Sequence, residues 1–434
     1  MAFISSFGIA FVLYLILGCS SAEENLFNVQ SYGAIADGKT DNSKAFLSTW
    51  KDACQWNGTA KFLIPSGEYM VYAANFIGPC SGSMTFQIQG VVKAPTDPSL
   101  FCNTTWISIQ YVNGLEIEGG GTLDGQGASA WPYFDTSKNS NCPTLPITLK
   151  LDFIENATVH DINSINSKSF HFDLFRCNNV TFSHVNLTAP GDSPNTDGIH
   201  MGVSTNIQVS DSNIGTGDDC ISMINGSQSI NISGITCGPG HGISIGSLGK
   251  TQNEVVTDIH VKNCTLIATQ NGARIKTWAP SESGSATNIN FEDIFMDNVR
   301  NPIIIDQHYC PSPPCSSEAS SVQIKDVTFN NIRGTSSSVA AVTLNCSASF
   351  PCQGINLTEI NLTSAVALQA SHLRSLARKY EFANARAESQ MRNSPDQPFL
   401  ANARFSFANA MLPIWACHRK CDCMFAIPAS QMRA

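Results

Sequence analysis

The sequence predicts an all-β chain: a single-domain right-handed parallel β-helix with a short N-terminal capping helix. Three observations carry this reading. The 434 residues are 42% hydrophobic and 14% charged, with 31 glycines, a composition that supplies a large core and many turns. Short runs with a polar lead and alternating apolar residues recur, as in Asn156-Ala157-Thr158-Val159, Asn179-Val180-Thr181-Phe182 and Asn206-Ile207-Gln208-Val209. From residue 156 the starts of successive runs differ by 23, 27, 23, 29, 30, 33 and 33 residues. One such unit cannot bury its apolar face alone, whereas stacked copies bury it continuously. A propeller needs blades of about 40 residues or more, and a sandwich gives no reason for so regular a spacing. Length alone suggests two or three domains, but a solenoid is one domain however far it runs.

Taken in order, residues 1–22 hold no charged side chain, and Phe7 to Cys19 is an apolar run of thirteen followed by Ser20-Ser21-Ala22. This reads as a secretory signal cleaved after Ala22, because a bilayer span needs roughly 20 apolar residues. Ser43 to Cys54 reads as an amphipathic helix with Ala45, Phe46, Trp50 and Cys54 on or near one face, placed to cap the solenoid. Lys61 to Ile64 is a strand, turned by Pro65-Ser66-Gly67, and the repeat runs from about residue 85. The expected organisation is a signal over 1–22, a catalytic β-helix over 23–365 and an atypical, poorly ordered tail over 366–434.

The tail stands apart in composition. All the glycines precede Ala365, and seven of the eleven arginines follow it. Nine Lys and Arg face four acids there, a net of +5, against −14 for residues 1–365. The reading is a foreign end, from a shifted reading frame or a wrong exon boundary; a basic interaction helix near Ser371 to Lys379 is the alternative.

Secretion places the 16 cysteines in an oxidising compartment, and removing Cys19 leaves an odd count. Cys310/Cys315 and Cys346/Cys352 are close enough in sequence to form small loop clips, while the scattered remainder lack the CxxC pairs of a zinc site. Asn-X-Ser/Thr sequons begin at eleven asparagines, among them Asn156, Asn179, Asn225 and Asn231. Several lie in strand-like runs, so only exposed ones are expected to carry sugar.

The chemistry centres on Gly215-Thr216-Gly217-Asp218-Asp219-Cys220. Neighbouring strand residues face opposite sides, so two adjacent aspartates reach one face only if the chain bends there. Alone, the segment reads as a polar turn or a calcium-binding corner. Asp197, in Asn195-Thr196-Asp197-Gly198, lies 22 residues before Asp219, and His241, in Gly240-His241-Gly242, lies 22 after it. Arg274 and Lys276 share a face across Ile275. Strands one coil apart sit about 4.8 Å from each other, so the four segments converge. Three carboxylates, a histidine and two cations suit glycoside hydrolysis of an acidic sugar: one carboxyl protonates the leaving oxygen, another activates water. Crowded like charges call for one aspartate with a raised pKa to act as the acid.

At these residues the chain resembles the pectin-degrading polygalacturonases, glycoside hydrolase family 28, through Asn195-Thr196-Asp197, Gly217-Asp218-Asp219, Gly240-His241-Gly242 and Arg274-Ile275-Lys276. Ala189-Pro190-Gly191-Asp192-Ser193-Pro194, Cys237-Gly238-Pro239 and Asn301-Pro302-Ile303-Ile304-Ile305-Asp306-Gln307 are similar to the plant branch, the pollen-type exopolygalacturonases in particular. The likeness covers about residues 27–363; the family's last coil and its closing cysteines are missing after Thr363. The resemblance implies α-1,4-linked galacturonan as substrate, single-displacement inversion, and no cofactor or metal. It makes Asp218 the proton donor, Asp197 and Asp219 the water-holding pair, His241 a support for the acid, and Asn195, Arg274 and Lys276 the galacturonate-binding groups. It also implies a Cys220–Cys237 disulfide. The expected partner is a pectic polysaccharide, with no nucleic acid, no membrane after signal cleavage, and a monomeric extracellular or wall-bound enzyme. An endo-acting hydrolase, a calcium-dependent lyase of the same fold, and an inactive wall-binding or allergen-like protein are the rivals.

Overall fold

The computed structural model describes residues 24–101, 105–133, 145–311, 314–364 and 426–428. The expected signal segment and almost all of 366–434 lie outside the described residues, and with them the expectations placed on those stretches. The chain winds as a parallel β-helix. Leu115, Ala157, Val180, Ile207, Ile230, Ile259, Ile289, Val327 and Ile355 stand in register as one column through successive coils. The column is buried as far as Val327, and each large aliphatic side chain so placed contributes about 1.5–3 kcal/mol.

The polar lead of each run has a conformational cause. Asn156, Asn179, Asn206, Asp258 and Asn288 all sit at φ between 53° and 59°. Asn and Asp tolerate this left-handed region better than other residues with a side chain. Their amides also stack: Asn156 Nδ2 donates to Asn113 Oδ1 (2.8 Å) and Asn179 Nδ2 to Asn156 Oδ1 (2.7 Å). Two sequon side chains are thus engaged in holding coils together.

The capping helix spans Ser43–Cys54 and buries Ala45, Phe46, Trp50, Ala53 and Cys54. Phe46 meets Phe62 edge-on and Trp50 packs on Phe76, so the helix closes the first coils with aromatic surface. Cys54–Cys80 anchors its last turn, and Cys310–Cys315 and Cys346–Cys352 are bonded; Cys177 and Cys264 are free and buried. Among the described residues no helix is long and apolar enough to cross a membrane.

A second ladder of parallel strands carries the polar face. It includes Phe172–Phe175, Ile199–Gly202, Ile221–Met223, Ile243–Leu248, Asn271–Trp278 and Asn301–Tyr309. Alternation sends Ile199, Met201, Ile221, Met223, Ile243, Ile245, Ala273 and Ile275 into the core. The residues between them, His200, Ser222, Ser244 and Arg274, fall in one outward register column.

Candidate active site

The strand Asn213–Gly215 ends just before the paired aspartates, and the strand Ile221–Met223 begins just after them. Asp218 and Asp219 therefore lie in a corner, where strand alternation does not apply. Both line a cavity of about 420 Å³, together with Asn195, Asp197 and Lys276. Gly217 is required for close approach: a Cβ there would stand 1.9 Å from the Ser193 carbonyl oxygen. Its N–H donates to Thr196 Oγ1 at 2.8 Å, tying this corner to the Asn195-Thr196-Asp197 corner one coil earlier. The Cys220–Cys237 disulfide and the His241 N–H, which donates to the Asp218 carbonyl at 2.7 Å, bind the corner to the following coil.

The three carboxylates occupy three environments. Asp219 is 1% exposed, and its Oδ1 accepts from Ser244 Oγ (2.8 Å) and from the Arg274 guanidinium, while Oδ2 accepts from Lys276 Nζ (2.7 Å). Burial opposes its ionisation, but Arg274 and Lys276 outweigh burial and hold the pKa down at about 2. Asp197 moves the other way. Burial raises its pKa and the neighbouring Asp218 and Asp219 charges add to this, against the His200 hydrogen bond. Its Oδ2 accepts from Ser222 Oγ at 2.7 Å and lies 3.4 Å from His200 Nδ1. Asp218 is the most exposed of the three carboxyls, with 23% side-chain exposure. Its Oδ1 pairs with His241 Nδ1 (2.8 Å) and accepts the Asp219 N–H (2.9 Å), leaving Oδ2 with no hydrogen bond among the described residues.

The geometry adds detail to two of the sequence expectations. The sequence calls for one aspartate with a raised pKa to act as the acid; burial raises Asp197, while the most exposed carboxyl, bonded to His241, is Asp218. The resemblance makes Arg274 and Lys276 galacturonate-binding groups. Both are directed at Asp219, and Arg274 Nε also donates to Ser244 Oγ at 2.8 Å. Only Lys276 of the two lines the cavity, and Asn195, which lines it too, donates from Nδ2 to Ser169 Oγ at 3.3 Å.

Sequence reasoning missed His200, Ser222, Ser244 and Phe170. His200 Nδ1 shares a 2.7 Å hydrogen bond with Ser222 Oγ, and its ring stacks on Phe170 at 4.3 Å between centroids. The signal was available: positions 200, 222, 244 and 274 are spaced like the named motifs, one coil apart. Asn225, a sequon asparagine, also lines the cavity.

Asp218, Asp219 and His241 each offer a ligand atom within 4.8 Å of the others. A cation there would have to displace the Asp219 ion pairs with Arg274 and Lys276 and the His241–Asp218 hydrogen bond. The charges are already matched, and the donor set does not fit a metal. Glu116, Glu118 and His160 form a second such group on the outer face, where Thr85 and Gln87 already donate to the two glutamates.

A β-helix bearing a cleft of unlike carboxylates belongs to the class of proteins equipped for acid–base chemistry. The family model for glycosyl hydrolases family 28 matches residues 54–377, and the chain belongs to that family. An exopolygalacturonase from Platanus acerifolia is 48% identical over 342 residues, covering 78% of this chain and 90% of that protein. A polygalacturonase from Gossypium barbadense is 45% identical over 354 residues, covering 81% and 87%. Among solved structures, an endo-xylogalacturonan hydrolase from Aspergillus tubingensis superposes with a TM-score of 0.69 at 23% identity, over 79% of this chain and 94% of that one. A polygalacturonase from Erwinia carotovora gives 0.55 at 22% identity, over 76% and 95%. At these identities the structures speak for the fold.

Proposed function

We propose that this chain is a secreted hydrolase that cleaves α-1,4-linked galacturonan of pectin by single displacement, working from chain ends and releasing galacturonic acid. The observation that carries the reading is the unlike environment of adjacent carboxylates: Asp219 is clamped between two cations, while Asp218 lines the cavity with an Oδ2 that has no hydrogen bond among the described residues. Asp218 Oδ2 gives its proton to the glycosidic oxygen as the bond to the anomeric carbon breaks. Asp219 and Asp197 hold a water on the opposite face and take up its proton as its oxygen attacks, so the configuration inverts. His241 orients Asp218 through Oδ1 and stabilises the anion left behind. Lys276 meets the sugar carboxylate beside Asn195, and Arg274 keeps Asp219 charged and in place. Chain-end action rests on the relatives from Platanus acerifolia and Zea mays, both named exopolygalacturonases.

Product sizing on long unesterified galacturonan tests this. The expected result is monomer from the first time point, β-configured at release, with no ultraviolet-absorbing product and no effect of a chelator. An early ladder of oligomers would overturn chain-end action, and an unsaturated absorbing product would overturn hydrolysis. Asp218→Asn lowers kcat by about 10²–10⁴-fold while the melting temperature holds; equal loss of both would remove Asp218 from the acid role.

A further inference from the structure

Each of the three acids has its own partner. Asp219 has Arg274 and Lys276, Asp218 has His241, and Asp197 has His200, a residue the proposed reaction does not use. His200 sits in the strand Ile199–Gly202 between two core residues, Ile199 and Met201, so alternation puts its ring on the polar ladder, where it lines the cavity. Phe170 lies flat against that ring, 4.3 Å between centroids and 17° between planes, and Ser222 is its register neighbour on the next coil.

The direction of the hydrogen bonds fixes the tautomer. Ser222 Oγ has one proton and donates it to Asp197 Oδ2 at 2.7 Å. Its 2.7 Å bond to His200 is therefore one it accepts, from Nδ1–H. Nδ1 also lies 3.4 Å from Asp197 Oδ2 itself. Both contacts hold Oδ2, while Asp197 Oδ1 has no hydrogen bond among the described residues.

Asp197 needs such a partner. It is 5% exposed, and burial together with the Asp218 and Asp219 charges favours its protonated form. The titratable groups facing His200 are acids: Asp197 in its own corner, Asp173 beside it on the preceding coil and Asp219 in the following corner. Lys150, Arg274 and Lys276 of the same ladder pair with Asp152 and Asp219 instead. Burial opposes a charge on His200, but these carboxylates outweigh burial and raise its pKa.

We propose that His200, acting through Ser222, is the positioning residue that keeps Asp197 ionised and aimed at the attacking water. As the water oxygen bonds to the anomeric carbon, its O–H bond breaks and the proton passes to Asp197; His200 stays charged throughout and exchanges none. Asp219, held at about 2 by its cations, is the weaker base of the pair. The inference rests on the inverting-hydrolysis reading, and one arm of its test needs no turnover.

The first arm is the pH profile of kcat/KM on galacturonan for the wild type, His200→Asn and Ser222→Ala. Activity rises with pH as Asp197 ionises and falls as the proton donor is lost. Asparagine offers an N–H in place of Nδ1–H but no charge, so the rising limb moves up by about one to two pH units and the falling limb stays. Ser222→Ala moves the rising limb in the same direction by about one unit, and it decides the matter alone if His200→Asn does not fold. Activity lowered at every pH with the rising limb in place would make His200 a structural residue and overturn the proposal. The second arm follows the His200 ring by NMR in the resting protein: its pKa falls by about one unit or more in Asp197→Asn, and an unchanged titration would overturn the pairing. A wild type that releases no galacturonic acid, with the ring still coupled to Asp197, would overturn the reading of function and keep the pair.

Discussion

Acid is expected to loosen this protein at His171. The ring is fully buried, its Nδ1 shares a 2.8 Å hydrogen bond with Ser164 Oγ, and its Nε2 has no partner among the described residues. Burial pushes its pKa down from 6.5 to about 3. Between those values the unfolded chain binds a proton that the folded chain refuses, so the stability is full above pH 6.5 and falls as the pH drops. The loss works out at about 2 kcal/mol by pH 5 and close to zero at pH 7.5. His171 also touches the site: its N–H donates to the Asp197 carbonyl at 2.8 Å, and the adjacent Phe170 carries the His200 ring. The measurement is urea unfolding of the wild type and His171→Gln at both pH values. The variant is the weaker protein at pH 7.5, and the gap narrows by about 2 kcal/mol at pH 5. His200 acts in the opposite sense. Burial opposes its charge, but Asp197 prevails and raises its pKa, so its contribution is present at low pH and lost as pH rises. That contribution is common to both proteins and cancels in the comparison. Parallel pH dependences in the two would refute the reasoning.

Two further outcomes follow from the same geometry. Asp219→Asn strands Arg274 and Lys276 as buried cations and costs about 3–5 kcal/mol in urea unfolding; adding Lys276→Met recovers part of the stability and none of the activity. Unchanged stability in the single variant would show that the clamp is not a structural unit. Replacing Cys220 and Cys237 by alanine opens a link of 17 residues in sequence and costs about 3 kcal/mol. It raises KM along with that loss, because the disulfide holds the aspartate corner to the histidine coil; an unaltered melting temperature would contradict this.

Much of the molecule was legible in the chain. The repeat was readable because successive coils place a residue in the left-handed region at the same point, and in most of them Asn or Asp marks it, as at Asn156, Asn179 and Asp258. The helix Ser43–Cys54 was readable from apolar spacing at a helical period. The motif residues could be gathered because their separations match one coil. His200, Ser222 and Ser244 escaped because a serine or histidine between aliphatic residues looks like an ordinary strand face until its neighbours one coil away are known.

What the sequence determined by itself, then, was the solenoid, its cap and the identity of the converging acids, since these depend on local pattern and on a coil length that can be counted. Tertiary structure alone decided how those acids differ. The corner at Gly217 brings both aspartates to one cavity, two cations close on Asp219, burial raises Asp197, and Asp218 keeps an oxygen without a hydrogen bond among the described residues. The physical reason is that desolvation and ion pairing are set by distance and burial in three dimensions, and adjacent identical residues carry no trace of either in their order along the chain.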